Sequence, residues 1–252
     1  GSSDLESSCR PAFSTQARAS ASGVAVASRI RAMATLSCRC GSVCVTFPTR
    51  APSYSLECCC VDCYQKSHHF ATQGGATGLA EHGKGRPLRL YYFPAKLQVD
   101  GSEHLAFNRL RESSLSVNCV ARCCQSLLFV DSPFYYGKVV MVFPDFCGLS
   151  SAEAVEPCGR AFSQDWPRAE LAGLEPLPEF YIDHASGKPV ASEAFGTATA
   201  QGKLAAAAVL EEAAGDTFAE LLAGAGGEVA TLGLPELEGS ARLRAGKAEG
   251  RL

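Results

Sequence analysis

Thirteen of the 252 residues are cysteine, against two Met and one Trp, and ten of the thirteen fall between Cys38 and Cys124. Nine of those ten form three tight groups: Cys38-Arg39-Cys40, Cys58-Cys59-Cys60-Val61-Asp62-Cys63, and Cys119 with Cys123-Cys124. A disulfide framework spreads an even number of cysteines along a short secreted chain, whereas pairs and triplets bring several thiolates to one ion. The number here is odd and the spacing clustered, so the pattern predicts metal binding. Cys38-x-Cys40 cannot complete a tetrahedral site and needs two ligands from a remote group. Cys58-x-Cys60-x-x-Cys63 supplies three thiolates from one loop and leaves a fourth position for water or substrate. Zinc is the first expectation for such sites, with an iron–sulfur cluster as the alternative. The isolated Cys44 interrupts an apolar run and reads as a buried thiol acting as a small hydrophobe. Cys9, Cys147 and Cys158 have no partner nearby in sequence and receive no role.

The elements that must position these groups lie between about Ala34 and Asp145, where short apolar runs alternate with turn signals and predict a β-rich domain. Strand candidates are Val43–Phe47, Leu88–Phe93, Leu97–Val99, Leu105–Phe107, Leu127–Val130 and Val139–Phe143. Asp100-Gly101 reads as a hairpin turn. The glycines between Thr72 and Arg86 match no phosphate-cradling motif and read as an exposed loop. Residues 146 to 182 predict an irregular wrap over the sheet. In the Ala-, Gly- and Glu-rich remainder, Lys203–Ala223 predicts one amphipathic helix, with Leu210, Ala214, Phe218, Leu221 and Leu222 opposite Glu212, Asp216 and Glu220. That helix either packs on its own domain or docks a partner protein. Gly224–Gly227 stops it, and the last dozen residues read as frayed and basic.

Cys38-Arg39-Cys40-Gly41-Ser42-Val43, then Cys58-x-Cys60-x-x-Cys63, then a late cysteine group resembles the glutathione-dependent formaldehyde-activating enzyme family, which also contains centromere protein V. Tyr92-Phe93-Pro94, Val99-Asp100-Gly101, Phe129, and Trp166 with Leu177-Pro178-Glu179-Phe180 extend the resemblance over roughly Leu36 to Phe180. It implies a mainly β fold, compact and antiparallel, carrying two zinc ions, to which this sequence adds a C-terminal helical extension. In the family, C-x-C and a late C-x-x-C hold a structural zinc, and C-x-C-x-x-C holds a catalytic one. Carried over, Cys38, Cys40, Cys119 and Cys123 (or Cys124 in place of Cys123) are the structural ligands, and Cys58, Cys60 and Cys63 the catalytic ones. This sequence departs from the pattern in its late group, which has wider spacing and no Gly after it. It departs again at Cys59, where a His often stands, in a longer loop at 72–86, and in the C-terminal segment. His68 and His69 follow Cys63 closely enough to be fourth-ligand or supporting candidates, and Lys66 and the arginines are candidates for glutathione carboxylates.

The resemblance implies a carbon–sulfur lyase acting on an adduct of glutathione, or another small thiol, with a small aldehyde. The alternative is a non-catalytic, zinc-stabilised binding module in a larger assembly. Composition sets the bounds around both. With 46% apolar and 19% charged residues the chain can bury a core, and a net charge of −3 supplies no basic field for nucleic acid. No apolar run reaches the length of a membrane span. Three segments are expected: a flexible extension at 1–33, the zinc-binding domain at 34–182, and the extension at 183–252. Residues 1–33 are Ser-, Ala- and Arg-rich, with no acidic residue between Glu6 and Glu57. This is similar to an organelle transit segment, chloroplast or other. Met33 as the start predicts a cytoplasmic protein instead. Both readings are intracellular.

Overall fold

Runs rich in β-branched and aromatic residues, cut by Pro48, Pro94 and Asp100-Gly101, direct the chain into short strands. The computed structural model describes residues 33–74, 87–144, 148–150, 152–166, 168–183 and 185–236. The Arg-rich first segment, most of the glycine-rich loop, Cys9, Cys147 and the basic last residues lie outside the described residues. The fold is mainly β, in two sheets. Strands β1 (Thr35–Ser37), β2 (Cys44–Thr46), β5 (Lys96–Asp100), β10 (Gly148–Ser150) and β14 (Asp216–Thr217) form the smaller, ordered β10-β1-β2-β5-β14. The larger contains β3 (Tyr54–Cys58), β4 (Leu88–Pro94), β6 (Leu105–Arg109), β7 (Val117–Ala121) and β8 (Ser126–Asp131). It also takes β9 (Val139–Val142), β11 (Arg160–Ala161), β12 (Glu179–Ile182), β13 (Pro189–Ala191) and β15 (Ala230–Thr231). Its order is β13-β12-β11-β3-β4-β9-β8-β7-β6-β15. Pairing is antiparallel except at β3–β11, β11–β12 and β6–β15. The helices are α1 (Val61–Thr72), α2 (Arg168–Leu171), α3 (Glu193–Glu212) and α4 (Phe218–Gly224). Among the described residues no helix is long and apolar enough to cross a membrane.

The larger sheet is buried on both faces, and the period-2 alternation of its strands sends side chains to two different cores. Tyr91 and Phe93 of β4 and Val140 and Val142 of β9 face the smaller sheet, where they meet Leu36, Val45, Phe47 and, from α4, Phe218 and Leu221. Phe47 and Phe93 stack at 4.1 Å, and burying each such ring contributes about 1.5–3 kcal/mol. Leu88, Leu90 and Tyr92 of β4 and Val139 and Met141 of β9 face the other way. There they join Cys58, Cys60 and Cys63, with Phe70 of α1 and Phe195 and Ala206 of α3. A register shift between β7 and β8, where Cys119 opposes Phe129 and Val120 opposes Leu127, sends Leu128 and Phe129 together into the first core.

Four expectations are corrected. Asp100-Gly101 does not close a hairpin: β5 pairs with β2 and β14, and β6 with β7 and β15. Gly101, at φ +77°, starts a single 3-10 turn that carries the chain from one sheet to the other. A Cβ there would stand 2.0 Å from Ser42 O. The one helix over Lys203–Ala223 is two, because Gly215, at φ +119° and pressed against Leu97, breaks it. Asp216–Thr217 then pairs with β5, and a Thr217–Glu220 capping box starts α4. The stretch read as an irregular wrap supplies β10, β11 and β12. Cys44 is buried but disulfide-bonded, not a free thiol.

Past α4, residues 230–234 lie along β6. Leu232 N donates to Arg109 O and Leu234 N to Leu110 O, both at 2.9 Å. Arg111, almost fully buried, donates from Nε to Leu234 O (3.1 Å), from Nη2 to Pro235 O (2.8 Å) and to Gln65, and from Nη1 to Asp62 (2.9 Å). This fastens the strip to α1.

Candidate metal centres and the adjoining cavity

Two tight turns face each other across the first cysteine group. In the β1–β2 turn, Cys38 N donates to Val43 O and Gly41 N to Cys38 O, both at 3.0 Å, and Val43 N donates to Cys38 Sγ at 3.2 Å. In the β7–β8 turn, Gln125 N donates to Ala121 O at 2.7 Å, and Gln125 itself takes φ +58°. Arg39 N donates to Ser126 Oγ (3.0 Å) and ties the turns together. The sulfurs of Cys38, Cys40, Cys123 and Cys124 consequently lie within 4.8 Å of one another. Cys38–Cys40 is 3.5 Å, Cys40–Cys123 3.2 Å, and Cys38–Cys123 and Cys123–Cys124 are each 4.0 Å. Four sulfurs at about 2.3 Å from one tetrahedral zinc stand about 3.8 Å apart, so the donor set has the size of a single ion.

Cys119 does not belong to this group. It lies in β7 between Phe107 and Phe129, fully buried in the first core, and burial pushes its thiol well up. Cys124, the alternative in sequence, is the fourth member in addition to Cys123. Ser42, through its side chain and backbone, holds Cys40 down at about 6. Burial and the Cys40 sulfur push Cys123 up to about 12, and burial raises Cys38. Burial also acts to raise Cys124, but hydrogen bonds with Ser126 and backbone groups carry it below the usual thiol value.

The second group forms where β3 runs into α1. Cys58 ends the strand, Cys60 caps the helix, and Cys63 sits in its first turn, so the three buried sulfurs gather at a helix N-terminus, whose dipole favours thiolate. Cys60 N donates to Cys58 Sγ at 3.4 Å. Hydrogen bonding with Cys58 and Cys60 pulls Cys63 well below the usual thiol range, and Lys66 one turn along assists. The same contacts hold Cys58 well above it. Cys58 pulls Cys60 down, but Cys63 and burial outweigh that pull and leave Cys60 at about 12. Cys63, the sulfur of the three that is pulled down, thus lies near the buried Lys66. Cys59 points elsewhere, towards Arg160, Glu57 and Asp165, and burial pushes it to about 12. His68 is exposed on α1, His69 packs edge-on against Phe70, and neither joins the group.

All three cysteines of this second group line a cavity of about 460 Å³. Tyr54, Tyr92 and Tyr135 wall it on the sheet side. Phe180 of β12 and Phe195, Thr199 and Lys203 of α3 close the other side. Gly202, one residue before Lys203, permits this closure by letting α3 approach the Tyr54 ring. The loop Ser113–Ser116 supplies a polar edge, and Ser114 Oγ is buried without a hydrogen-bond partner. Sequence reasoning misses α1 and assigns no aromatic to this cavity, although Tyr92 and Phe180 fall in the stretches that extend the family resemblance. The signal from α3 was present, since Phe195, Thr199, Gly202 and Ala206 recur at helical spacing. Each cysteine group can therefore hold one metal ion, and the second opens onto a ligand-sized space. No family model, curated protein or solved structure matches this chain, so its chemistry is carried by the geometry of its own residues.

Proposed function

We propose that this protein binds two zinc ions and acts as a carbon–sulfur lyase of the glutathione-dependent formaldehyde-activating kind, on the adduct of a small thiol with an aldehyde. The observation that carries the reading is the three-cysteine group in the wall of the cavity. Sulfur separations of single-ion size favour zinc over a multi-iron cluster in both groups. Cys38, Cys40, Cys123 and Cys124 would hold a closed, structural ion, and Cys58, Cys60 and Cys63 an ion with one position left for a ligand.

Bound there, zinc supplies a Lewis acid and lowers the pKa of an incoming thiol. The rest is work for the chain's own residues. In adduct formation the thiol sulfur bonds to the carbonyl carbon, the C=O π pair moves to oxygen, and the thiol proton ends on that oxygen; cleavage runs in reverse. The aromatic walls exclude water, Lys66 balances the surplus negative charge of three thiolates, and the Ser113–Ser116 edge offers hydrogen bonds to a peptide-like thiol. Zinc content by elemental analysis and exchange NMR of glutathione with formaldehyde test the reading. About two zinc ions per chain with accelerated exchange are expected, and Cys60→Ser abolishes the acceleration while leaving the melting transition cooperative. A protein that holds two zinc ions and accelerates nothing overturns the lyase reading and leaves a binding module.

A further inference from the structure

The reaction on formaldehyde asks little of the space beyond the cysteines, because the carbonyl carbon then carries only hydrogen. The cavity is built for more. Tyr54 stacks on Tyr92 at 4.3 Å, and Phe180 stacks on Phe195 at 5.7 Å, with Phe162 edge-on to Phe180 at 5.2 Å. These two aromatic stacks face the same space as Cys58, Cys60 and Cys63. A cavity edged by such rings favours an apolar group over a hydrogen-only one.

Lys66 and Asp62 lie beside the cysteines, Asp62 already paired with Arg111, and Lys203 and the Ser113–Ser116 loop add further polar groups to the lining. Lys203 is half-buried, donates to Phe134 O at 3.0 Å and stands 5.3 Å from the Tyr136 ring centroid. Among the described residues no carboxylate pairs with it. Ser114 Oγ, buried and unpartnered, lines the same cavity. An anion-seeking ammonium and an unused hydroxyl beside aromatic walls describe a ligand with an acidic, hydrogen-bonding end and an apolar body.

We infer that the cavity takes thiol adducts whose carbonyl carbon carries an aromatic or long alkyl group, and that α3 sets this preference through Phe195 against the apolar group and Lys203 against a carboxylate of the thiol. The inference rests on the proposed reading of the three-cysteine group as the reacting end. It assigns specificity to a segment beyond the stretch that carries the family resemblance. Phe195 and Lys203 touch ligand parts remote from the bond that forms, so they act through binding and placement.

Two unreactive thioethers test it on the full, zinc-loaded chain by titration calorimetry: S-benzylglutathione and S-methylglutathione. S-benzylglutathione is expected to bind tighter by about tenfold or more, since one buried apolar group in a fitted pocket gives discrimination of that order. Phe195→Leu, which keeps an apolar side chain in the core, lowers the ratio by about threefold or more. Lys203→Met weakens both thioethers by a similar factor and leaves the ratio unchanged. Equal affinity of the two thioethers for the parent protein overturns the inference, whatever the formaldehyde exchange assay gives. An unchanged ratio in a folded Phe195→Leu variant overturns the role of α3. A tenfold preference without catalysed exchange upholds the ligand class and sinks the lyase reading, so the two failures are distinguishable.

Discussion

Gly202 of α3 rests on the ring of Tyr54 of β3: a Cβ built on the glycine would stand 2.3 Å from Tyr54 Cδ1 and 2.9 Å from Cγ. Those atoms are near the root of a buried side chain, stacked on Tyr92 and unable to swing aside. Gly202→Ala should therefore lift α3 off the sheet and cost about 1–3 kcal/mol of stability. Denaturant unfolding measures this, and unchanged stability would mean that α3 does not seat on β3.

Cys119 and Cys124 separate core from candidate metal site. Cys124→Ser should lower the zinc content by about one ion per chain. Cys119→Ala should keep both ions and cost about 1–2 kcal/mol for the small cavity left between Phe107 and Phe129. Elemental analysis with thermal unfolding of the two variants decides between them; loss of zinc in the Cys119 variant alone reverses the assignment.

Metal loading should release protons. Cys123 and Cys60, each held at about 12, and Cys38 and Cys58, both raised, remain thiols at pH 7 in the metal-free groups. The three-cysteine group then gives up about two protons when an ion binds and the four-cysteine group at least about two, and affinity rises with pH. Zinc added to chelator-stripped protein in weak buffer, followed with a pH indicator, reads the number. Zinc uptake without acidification would show thiolates already formed.

Asp165 accepts a hydrogen bond from Val61 N at 3.2 Å, at the start of α1. Burial first, and Cys60 second, push its carboxyl up to about 7. Because the folded pKa lies above the unfolded one of about 3.9, the folded state binds the extra proton between about pH 4 and 7, and this residue's contribution to stability falls as pH rises through that window. Asp165→Asn should raise the melting temperature by about 2–4 °C relative to the parent at pH 8 and by little at pH 4.5. A gain equal at both pH values would point to a packing effect instead.

The strands that announce themselves in sequence are those with β-branched or aromatic runs ending at a breaker, such as Leu88–Phe93 before Pro94 and Val43–Phe47 before Pro48. Burial on both faces of the larger sheet blurs that signal: β7 reads Val-Asn-Cys-Val-Ala, with a buried Asn118 amide donating to Asn108, and it passes for a loop. That hidden strand is also why Cys119 looks like a ligand in sequence, since its neighbours Phe107 and Phe129 come from other strands. Helix α1 is masked by the cysteines and polar residues that begin it. The C-x-C and C-x-C-x-x-C halves of the cysteine groups are legible because their spacing is local, whereas Cys123 and Cys124 meet Cys38 and Cys40 only where two turns pack together. The cavity is not legible, because Tyr54, Ser114, Phe180 and Phe195 meet only through tertiary packing.

The strip of residues 230–234 along β6 has a consequence for how molecules meet one another. It occupies the carbonyls of Arg109 and Leu110, and Arg111 anchors it to Asp62. Without it, β6 would present a run of unpaired backbone groups at the rim of the remaining nine-stranded sheet, a template on which a second chain could add strand by strand. A segment of a few residues thus covers an edge along which copies of the chain could otherwise pair.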